Sequence, residues 1–210
     1  MPVALVAGLG GSLTGLLILK ILNWKEKLQS RYAELLYVLL CALLMCTIAY
    51  FVNDGILGSG KAEMSQLLFT GHKRIDWQIP IARTIGPILS FTTGASGGIF
   101  APSLGAGATI GAYVAGLFDL SASNTNLLVL SGMVAFLTGI TRSPFTSAIL
   151  VLEMTDRHNV IFFLMLAGIA ASLISSVVSK HSLYEYLKLR YIIKLQQEER
   201  TKNSEKSKSD

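Results

Sequence analysis

Charged residues are scarce in this 210-residue sequence. Asp, Glu, Lys and Arg make up 15% of it, whereas a soluble domain usually carries about 25%. None of the four occurs in residues 84–118 or in residues 120–141. Each stretch is longer than the roughly 20 residues that a helix needs to cross a bilayer. The scarcity excludes an ordinary soluble domain and predicts an all-α integral membrane protein.

Cysteine and histidine are also rare, which excludes several kinds of site. Cys41 and Cys46 are five positions apart in one apolar run, a spacing that matches neither a disulfide framework nor a metal motif. The three histidines, His72, His158 and His181, are scattered, so we expect no metal and no cofactor. No Ser/His/Asp, Cys/His or paired-carboxylate arrangement occurs in the sequence. These absences argue against an enzyme.

The basic residues, which give a net charge of +5, lie at segment ends and in the tail. The connector between two apolar runs, residues 2–19 and 35–52, contains four Lys or Arg, and the stretch from Lys180 onward contains eight. This pattern is a topology signal and does not indicate a nucleic-acid partner. We predict a membrane domain over residues 1–179. Residues 180–210 are predicted as a cytoplasmic tail that is first helical and then disordered.

One string imitates a nucleotide-binding loop. "GILGSGKA", residues 55–62, has the glycines and Lys61 of the phosphate-loop pattern but Ala62 in place of the magnesium-binding Ser or Thr. The motif also needs an α/β domain. Residues 53–78, which we predict to form a polar loop, are too few to build one.

From residue 79 onward the apolar segments are short and interrupted by glycine and proline. Inside a bilayer, broken helices leave backbone N–H and C=O groups that only protein, water or a ligand can satisfy. A multi-helix bundle with broken, tilted helices is therefore typical of a transport pathway. The segments are "IPIARTIGPILSF", "IFAPSLGAGATIGAYVAGLF", "NLLVLSGMVAFLTGI", "PFTSAILVLEM" and "VIFFLMLAGIAASLISSVV".

The second of these segments follows a glycine-rich turn made by Gly94, Gly97 and Gly98. Pro102 suits the first turn of a helix, where its missing N–H costs nothing, so a helix is predicted to begin near Ile99. Its first N–H groups carry the positive end of the helix dipole and would attract an anion. Small residues further along, among them Gly107, equally favour a helix that simply packs closely. Spacing alone does not decide between the two.

Three motifs, taken together, resemble the CLC family of chloride channels and chloride/proton exchangers. They are "GGIFAP" at 97–102, "LTGITRSPFTSAILVLEMT" at 137–155 and "SLYEYL" at 182–187. The resemblance implies the second of two inverted membrane repeats, preceded by one further helix. It also implies a homodimer with a separate pore in each subunit.

By this resemblance, chloride is the ligand, bound by the backbone amides of Ile99 and Phe100 and by the hydroxyl of Tyr184. A tyrosine at a membrane boundary is otherwise most often an interfacial anchor. We expect four neighbours of the first two residues to shape the site: Gly97, Gly98, Ala101 and Pro102.

The family's first-half motifs, Gly-Ser-Gly-Ile-Pro and Gly-Arg-Glu-Gly-Pro, do not occur here. "GSGK" at 58–61 lacks the Ile-Pro, so Ser59 does not inherit the anion-binding role. We therefore expect the missing N-terminal half to be a partner. The alternative is a non-transporting membrane fragment or scaffold, and the reading frame upstream of Met1 separates the two.

Two charged residues stand in apolar surroundings. Arg83 and Glu153 could line an ion path, since intramembrane charges are costly and usually functional. Both lie near segment ends, however, where pairing with a neighbour or snorkelling is the more common explanation.

Overall fold

The described residues of the protein form a bundle of α-helices. The computed structural model describes residues 2–26, 31–52, 58–70, 75–94, 97–118, 120–179 and 182–209, and no strand occurs among them. The helices are α1 (Pro2–Glu26), α2 (Arg31–Phe51), α3 (Lys61–Phe69), α4 (Gln78–Thr92), α5 (Phe100–Leu117), α6 (Ala122–Thr141), α7 (Pro144–Thr155), α8 (Ile161–Val178) and α9 (Leu183–Ser209).

Five of these helices are long and apolar enough to cross a membrane, namely α1, α2, α5, α6 and α8. α4 has 15 residues and contains Pro87, and α7 has only 12. Both are shorter than the roughly 20 residues of a full span. The prediction of an all-α membrane bundle with full-length and interrupted helices is confirmed.

α6 is the central helix of the bundle. Every residue from Gly132 to Thr141 is buried, and α6 packs extensively against α5, α1 and α8. A helix that is buried on all sides must be apolar on all sides. This explains why the buried stretch 132–141 contains no charged residue.

Glycine brings α6 into backbone contact with both α5 and α1. A Cβ atom added to Gly107 of α5 would collide with the carbonyl group of Gly132, and one added to Gly11 of α1 would come within 3.2 Å of the Gly139 Cα atom. In lipid, where apolar side chains gain little by meeting each other, such close backbone approach is a main source of helix association. The packing interpretation of α5 is thus confirmed for the body of that helix.

Predicted boundaries differ from the observed ones at three places. α2 begins at Arg31, within the predicted connector, and not at residue 35. α1 continues beyond residue 19 to Glu26, because Ile21 and Leu22 pack against the core although polar residues surround them. The stretch 53–78, predicted as a loop, contains α3. Met64, Leu67 and Leu68 of this short helix are buried. Their helical spacing is too brief for a hydropathy scan to detect.

The C-terminal helix is longer than its composition predicts. α9 continues to Ser209, where we expected a disordered end, and its Lys, Glu, Gln and Arg residues are strong helix formers. The division of the chain at residue 180 stays a prediction.

Of the two cysteines, Cys41 is buried and Cys46 is exposed.

We expect Gly107→Ala to destabilise the protein by about 1–3 kcal/mol, because the added methyl group must push α5 away from α6. Thermal unfolding in detergent measures this loss. Gly116→Ala in the same helix is the matched control, since a Cβ atom there has nothing within 4 Å. Equal unfolding temperatures for the two variants would contradict the close-packing account.

Candidate functional site

The junction between α4 and α5 contains one glycine in a backbone conformation that only glycine readily adopts. Gly94 has φ 86°, in the left-handed region. Gly97 and Gly98 do not have positive φ, and an added Cβ atom at either would meet nothing within 4 Å. Of the three glycines predicted to make this turn, only Gly94 therefore has a backbone conformation that favours glycine. At the other two positions, the lack of a side chain leaves open space in front of α5.

α5 begins where the sequence predicts. Phe100 is its first residue, and Ile99 is the N-cap, with an aliphatic side chain that makes no capping hydrogen bond. The Ser103 hydroxyl donates to the Ile99 carbonyl at 2.6 Å. Pro102 lies within the first turn. This helix end therefore presents N–H groups to a neighbouring acceptor.

A cavity of about 280 Å³ lies beside this helix end. It is walled by α4 on one side and by the start of α5 on the other. Its lining residues are Met45, Gly58, Ser59, Arg83, Gly86, Pro87, Ser90, Phe91, Gly97, Gly98, Ile99 and Pro102. Ser59, which the sequence places in a polar loop, is thus part of the wall, whereas Phe100 and Tyr184 are not.

Arg83 brings a buried charge to the cavity wall. Its side chain is 4% exposed and forms an ion pair with Glu63 of α3. Its guanidinium also donates to the Gly58 carbonyl at 3.2 Å. The interpretation that Arg83 pairs with a neighbour is confirmed, although the partner was not identifiable from the sequence. Glu153 is exposed near the end of α7.

Tyr184, in the first turn of α9, meets the start of α5. Its ring stacks on that of Phe100, with centroids 6.2 Å apart and an interplanar angle of 24°. Burial raises the pKa of the Tyr184 hydroxyl above its ordinary value, so the group stays protonated and able to donate at neutral pH. The structure thus brings Phe100 and Tyr184 together, from motifs more than 80 residues apart in the sequence.

Sequence reasoning missed two residues at the end of α1. Asn23 exchanges hydrogen bonds with the Tyr186 hydroxyl, and Lys25 donates to the Thr93 carbonyl at 3.0 Å. Asn23 and Tyr186 are 163 positions apart. No local pattern indicates a pair at such a distance.

Interrupted helices around a cavity at a helix N-terminus are features of the class of membrane channels and transporters. The family model described as Voltage gated chloride channel matches residues 1–176, and the chain therefore belongs to that family. The resemblance to the CLC proteins is confirmed. Members of the family are channels and transporters of anions.

We expect Glu63→Gln to destabilise the protein by about 3–5 kcal/mol, because it leaves the buried Arg83 guanidinium without its carboxylate. The fall in thermal unfolding temperature measures this effect. Glu153→Gln, which removes an exposed carboxylate, serves as the control and should change the temperature little. An unfolding temperature of Glu63→Gln that matches the control would mean that the ion pair contributes nothing.

Proposed function

We propose that this chain forms one wall of a chloride pathway. The anion is held by the backbone N–H groups of Ile99 and Phe100 and by the Tyr184 hydroxyl. The observation that carries the proposal is the contact between Phe100 and Tyr184 at the uncapped start of α5. It joins the two motifs that the family resemblance assigns to chloride.

The electrostatics of this helix end suit a small anion. Aligned peptide dipoles place roughly half a positive charge at the N-terminus of a helix, and the side-chain hydroxyl adds one neutral donor. The nearby guanidinium of Arg83 is paired with the Glu63 carboxylate. Neutral donors hold an ion firmly enough to dehydrate it and weakly enough to release it, which conduction requires.

The residues around the two amides shape this site, three of them by their small size. Gly97 and Gly98 carry no side chain into the open space, Ala101 carries only a methyl group, and Pro102 lacks an N–H group. Gly97, Gly98 and Ala101 thereby keep the approach to Ile99 and Phe100 free, and Pro102 favours the start of the helix beside them.

Gly98→Val tests the approach to the helix end. We expect the protein to fold, because a Cβ atom at this position has free space, but the isopropyl group would occupy the space that the anion needs. A steric cost of about 1–3 kcal/mol corresponds to roughly five- to 150-fold weaker chloride binding. Calorimetric titration of the full-length protein measures this loss. Gly116→Val, at the far end of α5, is the control. Unchanged affinity in Gly98→Val would remove the helix end from the site.

Tyr184→Phe tests the hydroxyl. A hydrogen bond to an anion is worth about 1.5–3 kcal/mol, so we expect a roughly ten- to hundredfold loss of chloride affinity. Flux into liposomes need not fall, because weaker binding also speeds the release of the ion. Tyr191→Phe is the control, since Tyr191 is on the same helix and 65% exposed. If both variants bind chloride equally well, Tyr184 is an interfacial anchor.

The wider assembly is also part of the proposal. We propose that the first-half motifs come from an N-terminal half of the same protein, which completes the pathway, and that two subunits associate as a homodimer in the bilayer. The contacts of Asn23 and Lys25 place the end of α1 beside the starts of α9 and of the loop to α5. The basic connector and the basic tail therefore begin on one side of the bundle. This supports a cytoplasmic C-terminus by the positive-inside rule.

A further inference from the structure

The last turn of α1 holds α9 by a reciprocal pair of hydrogen bonds. Asn23 Nδ2 donates to Tyr186 Oη at 2.8 Å, and Tyr186 Oη donates to Asn23 Oδ1 at 3.0 Å. Both side chains are partly buried. The primary amide and the phenol each use a donor and an acceptor here, so the pair holds the Tyr186 side chain against the end of α1.

Tyr186 and Tyr184 hold opposite sides of α9. Two positions on an α-helix differ by about 200° around its axis. One tyrosine therefore faces α1 while the other faces Phe100 of α5. Around the axis of α9, Leu183 lies between the two tyrosines. It is 2% exposed and belongs to the same apolar cluster as Ile99. A rotation of α9 that broke the contact with α1 would move the Tyr184 ring away from Phe100.

The same turn of α1 is tied to the element that leads into α5. Lys25 Nζ donates to the carbonyl of Thr93, the C-cap residue of α4, at 3.0 Å. It also lies 5.9 Å from the centroid of the Tyr37 ring. Asn23 is only two residues before Lys25. The same turn of α1 therefore binds both α9 and the start of the loop that leads to α5.

We infer that Asn23 is a positioning residue for anion binding. Through Tyr186 it sets the orientation of α9, and so it sets where the Tyr184 hydroxyl lies relative to the amides of Ile99 and Phe100. The inference rests on the proposed role of Tyr184 and adds a residue with no contact to the anion.

The test is a mutant cycle on the full-length protein, with calorimetric chloride affinity as the measurement. We expect Asn23→Ala and Tyr186→Phe each to weaken chloride binding about two- to tenfold, because each removes the same neutral hydrogen bonds. The double variant should be no weaker than either single one. In a Tyr184→Phe background, Asn23→Ala should have no further effect, since the hydroxyl that it orients is gone.

This cycle separates positioning from general destabilisation. Loss of stability alone would lower the affinity by the same factor in both backgrounds, and that result would overturn the inference. Tyr191→Phe, which changes an exposed tyrosine of α9, should leave affinity unchanged. Tyr186→Phe keeps the ring and its packing, so the protein folds even if Asn23→Ala does not.

The outcomes also distinguish the inference from the proposed function. If Tyr184→Phe weakens binding while Asn23→Ala and Tyr186→Phe do not, the inference is wrong and the proposed function stands. If Tyr184→Phe binds chloride as tightly as the unmodified protein, the role of Tyr184 fails and the inference fails with it.

Discussion

The structure depends on the backbone contact that glycine allows between α6 and two of its neighbours, α5 and α1. Gly107 of α5 meets Gly132, and Gly11 of α1 lies against the segment of α6 that contains Gly139. Apolar side chains gain little by meeting each other within lipid, so dispersion between closely approaching helices must hold the bundle together. This contact holds α1 and α5 against the same helix, α6. Phe100 begins α5, and Tyr184 lies on α9, which Asn23 of α1 binds through Tyr186.

A second constraint on the structure is the break between α4 and α5. A helix that ends within a protein leaves backbone groups that protein, water or a ligand must satisfy. Lys25 donates to the Thr93 carbonyl at the end of α4, and Arg83 donates to the Gly58 carbonyl in the cavity wall. The carbonyl groups of Thr93 and Gly58 thus accept hydrogen bonds from cationic side chains. At the start of α5, by contrast, the N-cap residue Ile99 provides no side-chain acceptor, which is the condition under which a helix end can serve an anion.

Two tyrosines near each other in one helix have different tasks here. Tyr184 stacks on Phe100, and Tyr186 bonds to Asn23. Their sequence positions look alike, and both are aromatic residues that follow the last apolar run. Only the helical rotation between them separates a side chain at the proposed anion path from one that anchors its helix.

The sequence alone determined the membrane class, most of the helices and the family motifs, because hydropathy, proline and glycine act over a few neighbouring residues. It also determined the start of α5, where Pro102 and the preceding glycines are local signals. Only the tertiary structure decided what these segments do to one another. It showed α3 packed by Met64, Leu67 and Leu68 within a polar stretch. It also gave Arg83 its partner Glu63, and Asn23 its partner Tyr186. Such pairs form across helices that close packing brings together, and a hydrogen bond or ion pair between distant positions leaves no periodic trace in a single sequence.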